Sequence, residues 1–376
     1  MLLRNTLNKP ETLFNSVFEK KNTTHFTIIT GYIGVSMAKE LIKISDHYDQ
    51  IDVIVGMYGG VLDEQRYNVL TSIQQQHPNI KFHVTKKQIH SKLYIWHNNE
   101  NIESYLIGSA NFSRNALLHS PQREVLEFGR SFDDISHYLT VIKEKGRELE
   151  LDSQIIPTKL IIEPTEISSF SILSSKRSKV NIVGKSVNAS EPHGLAGLNW
   201  GYSWSAPALN DAYIPIPIEK VRRGYIPSKE GGKKVVFDAI WDDGEVMSIS
   251  FEGTQRNIYK DYPKQISSYP NKHILGDYLR QRISNKIGID LVTTNEENDF
   301  RKTFYHNHPI SKYKSLNDFE KRTFFEEYAL KKGKIDLYKS IKAKFISMDH
   351  LNKYGRHDID LTRTEDDDTF FIDFSV

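Results

Sequence analysis

The stretch that most limits what this chain can become runs from His90 to Glu124. It carries an H-x-K triplet, His90 and Lys92, on one apolar run, and a G-S-x-N tetrad, Gly108, Ser109 and Asn111, at the end of a second. If Ile89 to Trp96 is a strand, the period of two places His90 and Lys92 on one face. Tyr105-Leu106-Ile107 reads as a short buried strand and Gly108-Ser109 as the tight turn after it, which presents Ser109 and Asn111 at a strand end. An imidazole, an ammonium, a hydroxyl and an amide then converge on one anion. Neutral imidazole titrates near pH ~6.5, so it can attack phosphorus or, when protonated, donate to a leaving oxygen. Lys and Asn donors would hold the charge of a pentacoordinate transition state, as a metal ion does elsewhere. Glu124, ahead of the run Val125-Leu126-Glu127-Phe128, is placed to fix the ring tautomer. A lone H-x-K arises by chance in a chain rich in His and Lys. The G-S-x-N at the mouth of a second apolar run is what gives the pair meaning.

These motifs resemble the signature of the phospholipase D superfamily, H-x-K-x(4)-D followed by G-S-x-N. His97 stands where that signature has Asp. The resemblance implies His90 as nucleophile, Lys92, Ser109 and Asn111 as phosphate ligands, and Glu124 as the group that orients His90, with no metal and no cofactor. Superfamily active sites use two H-x-K motifs. This chain offers one, so the resemblance implies a homodimer through the N-terminal domain, with the site on the two-fold axis.

At 376 residues the chain is long enough for two domains, and 38% hydrophobic with 26% charged residues describes a globular protein with sizeable cores. It has no cysteine, which excludes disulfides and thiolate metal sites and fits a reducing compartment. No stretch approaches the ~20 apolar residues of a membrane span, so we expect a cytoplasmic protein with no membrane partner. The net charge of +2 gives no global basic field, but Lys220, Arg222, Arg223, Lys229, Lys233 and Lys234 form a local basic stripe.

Along the chain, Thr24–Gly31 and Ile51–Met57 read as buried strands ending in glycine turns. Val35, Ala38, Leu41 and Ile42 mark a helix between them. Asp63–His77 reads as a helix stopped by Pro78, and Ile80–Val84 as a third strand; this order predicts an α/β layer with a parallel or mixed sheet. Gly56 and Gly59-Gly60 lack the G-x-x-x-x-G-K-[ST] of a nucleotide loop and read as turn glycines. A helix is expected over Phe112–Leu118, and another after the Ser131/Asp134 start, closing a first domain at residues 1–151. Residues 152–197, rich in Ser, Gly and Pro, read as a connector. The remainder, 198–376, reads as a second domain whose first half is β-dense. Strands are expected at Ala212–Ile218, Lys234–Trp241 and Glu245–Phe251, the last two joined by an Asp242-Asp243-Gly244 hairpin turn. Helices follow at His273–Ile283 and Leu316–Leu330, and a β run at Phe370–Phe374.

The pieces LNWGYS, DAYIPIP, the DDGE hairpin, LGDYLRQRI and DHLNKYGRHDIDL leading to FFIDF are similar to the C-terminal domain of NgoFVII-type restriction endonucleases. That family joins a phospholipase D-like nuclease to a DNA-binding pseudobarrel of the plant B-three type. The implied fold is an α/β phospholipase D-like nuclease domain followed by an α+β, mostly β, pseudobarrel DNA-binding domain. Two loop arms would grip the major groove, mapped here to Tyr202–Asp211 and Glu252–Lys264. Tyr202, Trp204, Asn210, Asp211, Gln255, Arg256, Lys260 and Lys264, with Arg222 and Arg223 of the basic stripe, are the expected DNA contacts. The implied function is a type II restriction enzyme that hydrolyses double-stranded DNA by a metal-independent phosphohistidine mechanism, with a DNA methyltransferase of the same specificity as functional partner. Two alternatives stand beside it. A lipid phosphodiesterase or phosphatidyl transferase would need an apolar acyl-binding surface, and an inactive DNA-binding protein would not need the full motif set. His306-Asn307-His308 lacks the frame of an H-N-H nuclease and reads as chance, and Glu365–Asp368 reads as a solvated loop rather than a cation site. Residues 303–344 exceed what a compact DNA-binding domain needs.

Overall fold

The computed structural model describes residues 2–6, 9, 11–58, 62–85, 88–99, 101–118, 124–143, 146–148, 157–158, 167–171, 197–203, 206–216, 236–256, 261–309, 316, 318–363 and 369–376. Gly59-Gly60, most of the connector, the basic stripe and Glu365–Asp368 lie outside them.

The first half builds one mixed sheet. Its strands are β1 (Leu2–Arg4), β2 (His25–Thr30), β3 (Gln50–Val55), β5 (Ile80–Thr85), β6 (Leu93–Asn98), β7 (Asn101–Gly108), β8 (Val125–Phe128) and β9 (Gly146–Glu148), and the order is β1-β8-β7-β6-β2-β3-β5-β9. The pairs β2–β3 and β3–β5 are parallel, whereas β6, β7, β8 and β1 follow in antiparallel succession beyond β2. A short strand β4 (Leu62–Asp63) pairs in parallel with β10 (Pro157–Thr158). Helices α1 (Thr12–Val17), α2 (Val35–Ile42), α3 (Glu64–Gln76), α4 (Arg114–Leu117) and α5 (Phe132–Lys143) complete this part. The side chain of Asp63 caps α3, accepting from the Arg66 amide at 2.7 Å and pairing with the Arg66 guanidinium at 2.7 Å. Ser131 precedes α5 and donates to Asp134 at 2.6 Å, the start expected from the sequence.

The core follows from the strand composition. Phe26, Ile28, Ile51, Val53, Phe82, Tyr94 and Trp96 are buried in one cluster with Leu13, Val35, Leu41 and Leu70 of the helices. Phe26 stacks on Trp96 with centroids 5.0 Å apart. Burying each such side chain contributes about 1.5–3 kcal/mol, so the central strands form the stable floor under the loops at their ends.

The second sheet comprises β11 (Ile167–Ser171), β12 (Ile214–Pro215), β13 (Val236–Trp241), β14 (Val246–Glu252), β17 (Gln265–Ser268), β18 (Asp358–Arg363) and β19 (Thr369–Asp373), in the order β11-β18-β19-β13-β14-β17-β12. Strands β15 (Gln255–Arg256) and β16 (Asp261–Tyr262) form a separate ribbon. The expected D-D-G hairpin is present, with Gly244 at φ +84°, a conformation that favours glycine. Strand β12 is shorter than the run expected over Ala212–Ile218, whose last two residues are outside the described set. Among the described residues, the helices of this half are α6 (His273–Ile287), α7 (Asn295–Asn307), α8 (Asp318–Lys331), α9 (Ile335–Ala343) and α10 (Met348–Tyr354).

By packing, the chain divides into two compact units. One comprises Met1–Ile167, Val235–Ser248 and Thr362–Asp373, and the other Ser168–Lys234, Ile249–Leu361 and Phe374–Val376. Two segments that the sequence placed in the C-terminal domain therefore pack with the first unit. The reason is visible in their contacts: Ile240, Val246 and Phe371 join the first core cluster, and Asp238 accepts from the amide and hydroxyl of Ser36 at 3.1 and 2.7 Å, capping α2 in place of Gly34.

Candidate active site

Parallel strands β2 and β3 both end at glycines, Gly31 and Gly56, and ligands bind beyond the carboxyl ends of such strands. The register Ile29↔Leu93 starts antiparallel β6 at this edge, and Gly108 ends β7 there. Both motifs therefore arrive at one place. His90 and Lys92 do not lie within a strand as the sequence had suggested. They sit in the loop before β6, because the Ile89 amide leaves the sheet pattern to donate to Gly56 O at 3.0 Å.

The close packing at Gly31 places the side chains. A Cβ on Gly31 would stand 3.2 Å from Asn111 Oδ1, 3.3 Å from His90 Cδ2 and 3.1 Å from Met57 Cγ. His90 and Asn111 thus flank the same few ångströms of backbone, with His90 exposed. Its ring has no hydrogen-bond partner among the described residues, which leaves both nitrogens to a ligand. Asn111 Oδ1 takes a weak donation at 3.4 Å from the Tyr32 amide, turning its amide NH2 away from the backbone. Thr30 is fully buried; its hydroxyl accepts from the Phe112 amide at 2.9 Å and donates to Tyr32 O at 2.8 Å, which fixes the turn carrying Asn111.

Lys92 is 5% exposed, and its Nζ donates to His90 O at 2.5 Å, tying the two motif residues together. Burial pushes the Lys92 ammonium below the usual lysine range, opposed by the charge of Glu124. Ser109 is exposed, pairs with Val125 by backbone (Ser109 N to Val125 O, 3.0 Å) and donates its hydroxyl to Glu124 in a short contact. Glu124 was expected to orient His90; here its carboxylate holds Ser109. His97, at the signature's Asp position, is a core residue. Its Nε2 meets Thr27 Oγ1 at 3.0 Å and its Nδ1 donates to Asn99 O at 2.6 Å, so both nitrogens are committed.

Sequence reasoning brought together His90, Lys92, Ser109, Asn111 and Glu124 and missed Gly31, Thr30 and Met57. The signal for these three was the shared edge: strands ending at glycine mark where a backbone comes close to a ligand.

The expected DNA contacts fare differently. Asn210 is 5% and Asp211 4% exposed. Asn210 accepts from the Thr293 amide at 3.2 Å, and Asp211 from the Ala208 amide at 2.8 Å. Tyr202 donates to Ile341 O at 3.1 Å, and Gln255 donates to Ile216 O and Pro263 O, each at 2.8 Å. These four side chains hold the domain together. Lys264 is exposed, Arg256 lies on the β15–β16 ribbon, and Trp204, Arg222, Arg223 and Lys260 lie outside the described residues. His308, the end of the H-N-H triplet, packs its ring on Phe304 and Phe324 at 4.8 and 4.9 Å, as a core residue would. No group of three or more His, Asp or Glu placed to hold a metal occurs among the described residues.

A loop-borne His-Lys pair meeting a G-S-x-N turn at the end of a mixed sheet defines a phospholipase D-like domain, here followed by a B3-like domain. Residues 9–150 match the NgoFVII restriction endonuclease N-terminal PLD domain, and residues 172–306 match the NgoFVII C-terminal B3-like DNA-binding domain. With both domains present in that order, the chain belongs to the NgoFVII restriction endonuclease family, a family of DNA nucleases. No curated protein matches the chain. Among solved structures, NucT from Helicobacter pylori is similar at 14% identity, over 39% of this chain and 97% of that one, with a TM-score of 0.32. Polyphosphate kinase from Porphyromonas gingivalis is similar at 14% identity over 42% of this chain and 26% of that one, with a TM-score of 0.27. No helix of the described residues is long and apolar enough to cross a membrane.

Proposed function

We propose that the chain is a site-specific type II restriction endonuclease that cleaves double-stranded DNA without a metal, through a phosphohistidine at His90. The observation that carries this reading is the meeting of His90 and Asn111 around Gly31, with the Lys92 ammonium bound to the His90 carbonyl. A His90 ring nitrogen attacks phosphorus while Lys92 and the Asn111 amide hold the non-bridging oxygens. The bond to the leaving oxygen breaks as a proton arrives from an acid on the opposite side. Water then attacks the phosphohistidine, gives its proton to that same group, and frees His90. Ser109, held by Glu124, lines the site as a further phosphate ligand.

One imidazole cannot stand on both sides of an in-line displacement. With no second H-x-K in the chain, the donor is His90 of a second copy, and the enzyme works as a homodimer with its site on the two-fold axis. Two exposed apolar side chains flanking the exposed Glu127 support that arrangement. Leu2 and Ile107 are 58% and 43% exposed and share the cross-strand row Leu2↔Glu127↔Ile107, beside the Gly108-Ser109 turn. The B3-like domain selects the sequence, with Lys264 and the β15–β16 ribbon as candidates for contact beside Trp204, Arg222, Arg223 and Lys260, and phosphate charge supplies much of the affinity. A methyltransferase of the same specificity in the same cytoplasm completes the system.

The test is digestion of mixed plasmid DNA in EDTA with the product ends sequenced. Discrete fragments with one recurring end sequence are expected. Cleavage that stops in EDTA and returns with magnesium would contradict the mechanism, and cleavage without a recurring sequence would contradict site specificity.

A further inference from the structure

The segment beyond residue 306 extends past both family matches. Within its own unit, α8 and α9 pack against α7 and the 202–209 segment around a cavity of about 390 Å³, in the size range of small-molecule and cofactor pockets. Six aromatic side chains line it: Tyr202, Phe304, Tyr305, Phe325, Tyr338 and Phe345. The charged lining residues Arg301, Lys321 and Lys342 are all basic, and no carboxylate is among the lining residues.

Arg301 gives the cavity its sign. It is 1% exposed, stacked 4.3 Å from the Tyr305 ring centre, and it donates to Ala206 O at 3.2 Å and Ser203 O at 2.5 Å. Its Nε is buried without a hydrogen-bond partner, and among the described residues no carboxylate forms an ion pair with it. A hydrogen bond with the Tyr305 side chain and the charge of Asp211 offset part of the cost of burying this cation, and an incoming anion would offset more of it. Aromatic walls select a flat ring, since base–aromatic stacking contributes about 1–3 kcal/mol per base. Lys342, exposed at the end of α9, places a further positive charge at the rim.

From these features we infer that the cavity binds one nucleotide unit, its base among the aromatic rings and its phosphate toward Arg301 and Lys342. The unit is either a free mononucleotide or one extruded from bound DNA; the chemistry is shared. The cavity residues belong to the unit that does not carry His90, and the inference does not depend on the cleavage mechanism.

Calorimetric titration of the full chain with AMP, GMP, CMP and TMP tests this. Binding of at least one of them at about 1 mM or tighter is expected. Ala343→Trp, which fills the cavity from an exposed lining position, should weaken it at least about tenfold, and Lys342→Glu about 3- to 10-fold. Lys342→Glu changes an exposed side chain and serves if Ala343→Trp fails to fold. Repeating the titration with DNA present separates the sources. Competition between nucleotide and DNA points to an extruded unit, and unchanged or tighter DNA binding to a free effector. No binding by any of the four, or binding that both folded variants leave intact, overturns the inference.

Discussion

Gly31→Ala probes the active-site geometry with a single added methyl group. The new Cβ would lie 3.1–3.3 Å from Met57 Cγ, Asn111 Oδ1 and His90 Cδ2, against ordinary contacts of 3.4–4 Å. The side chains must therefore retreat by a few tenths of an ångström, and two of the three are the proposed nucleophile and a proposed phosphate ligand. Since a misplacement near 1 Å costs about 100-fold, a shift of this size should lower the single-turnover cleavage rate about 5- to 50-fold. Stability should barely change, because flexible side-chain ends absorb the strain; a Tm shift within about 4 °C is expected. Gly56→Ala is the contrast. Its Cβ would meet Ile89 O at 2.3 Å, a backbone atom that cannot give, so the His90 loop must break away and both activity and Tm should fall. Cleavage by folded Gly31→Ala within twofold of the parent would refute the claim that His90 and Asn111 act together beside Gly31.

His90→Ala should abolish cleavage while leaving DNA affinity in a gel shift within about threefold, and a parallel loss of both would show that His90 serves binding rather than chemistry. Ile107→Glu should shift the sedimenting species toward monomer and reduce cleavage at least about tenfold at low protein concentration; full activity in a monomer would refute the shared site. Asp52 is 4% exposed and accepts from His83 at 3.0 Å and Gln50 at 2.8 Å, with Lys143 at 3.4 Å. Burial alone would raise its pKa, but these partners outweigh burial and hold it at about 2, against an ordinary 3.8. A depressed carboxylate stabilises the fold above its unfolded pKa and loses that contribution as pH falls through the folded value. Asp52→Asn should thus cost about 2 kcal/mol at pH 7, with the difference from the parent closing between about pH 4 and pH 2 in denaturant titrations. A difference that persists at pH 2 would refute this origin.

The strands of the first domain were legible because their apolar runs end in turn residues, and the motif residues because their chemistry is unusual at that spacing. What periodicity misread was local. His90 and Lys92 looked like strand positions, yet the bond from Ile89 to Gly56 pulls them into a loop. The helix expected over Phe112–Leu118 is only Arg114–Leu117, since the Phe112 amide goes to Thr30 and Ser113 becomes the cap. Long-range partners were invisible. Asn210 and Asp211 read as polar loop residues fit for DNA, but Asn210 is consumed by Thr293, 83 positions away. The packing of Val235–Ser248 and Thr362–Asp373 with the first unit was likewise unreadable, because nothing local distinguishes the core a β-branched strand will join.

The proposed mechanism passes through a covalent phosphohistidine formed without metal. Its most direct measurement is single-turnover cleavage of end-labelled DNA in EDTA, quenched in alkali, with the protein digested and its peptides analysed by mass spectrometry. An acid-labile, alkali-stable DNA adduct on the peptide carrying His90, absent in His90→Ala, is the expected result. Cleavage at full rate with no such adduct at any time point, or an adduct on another residue, would contradict it.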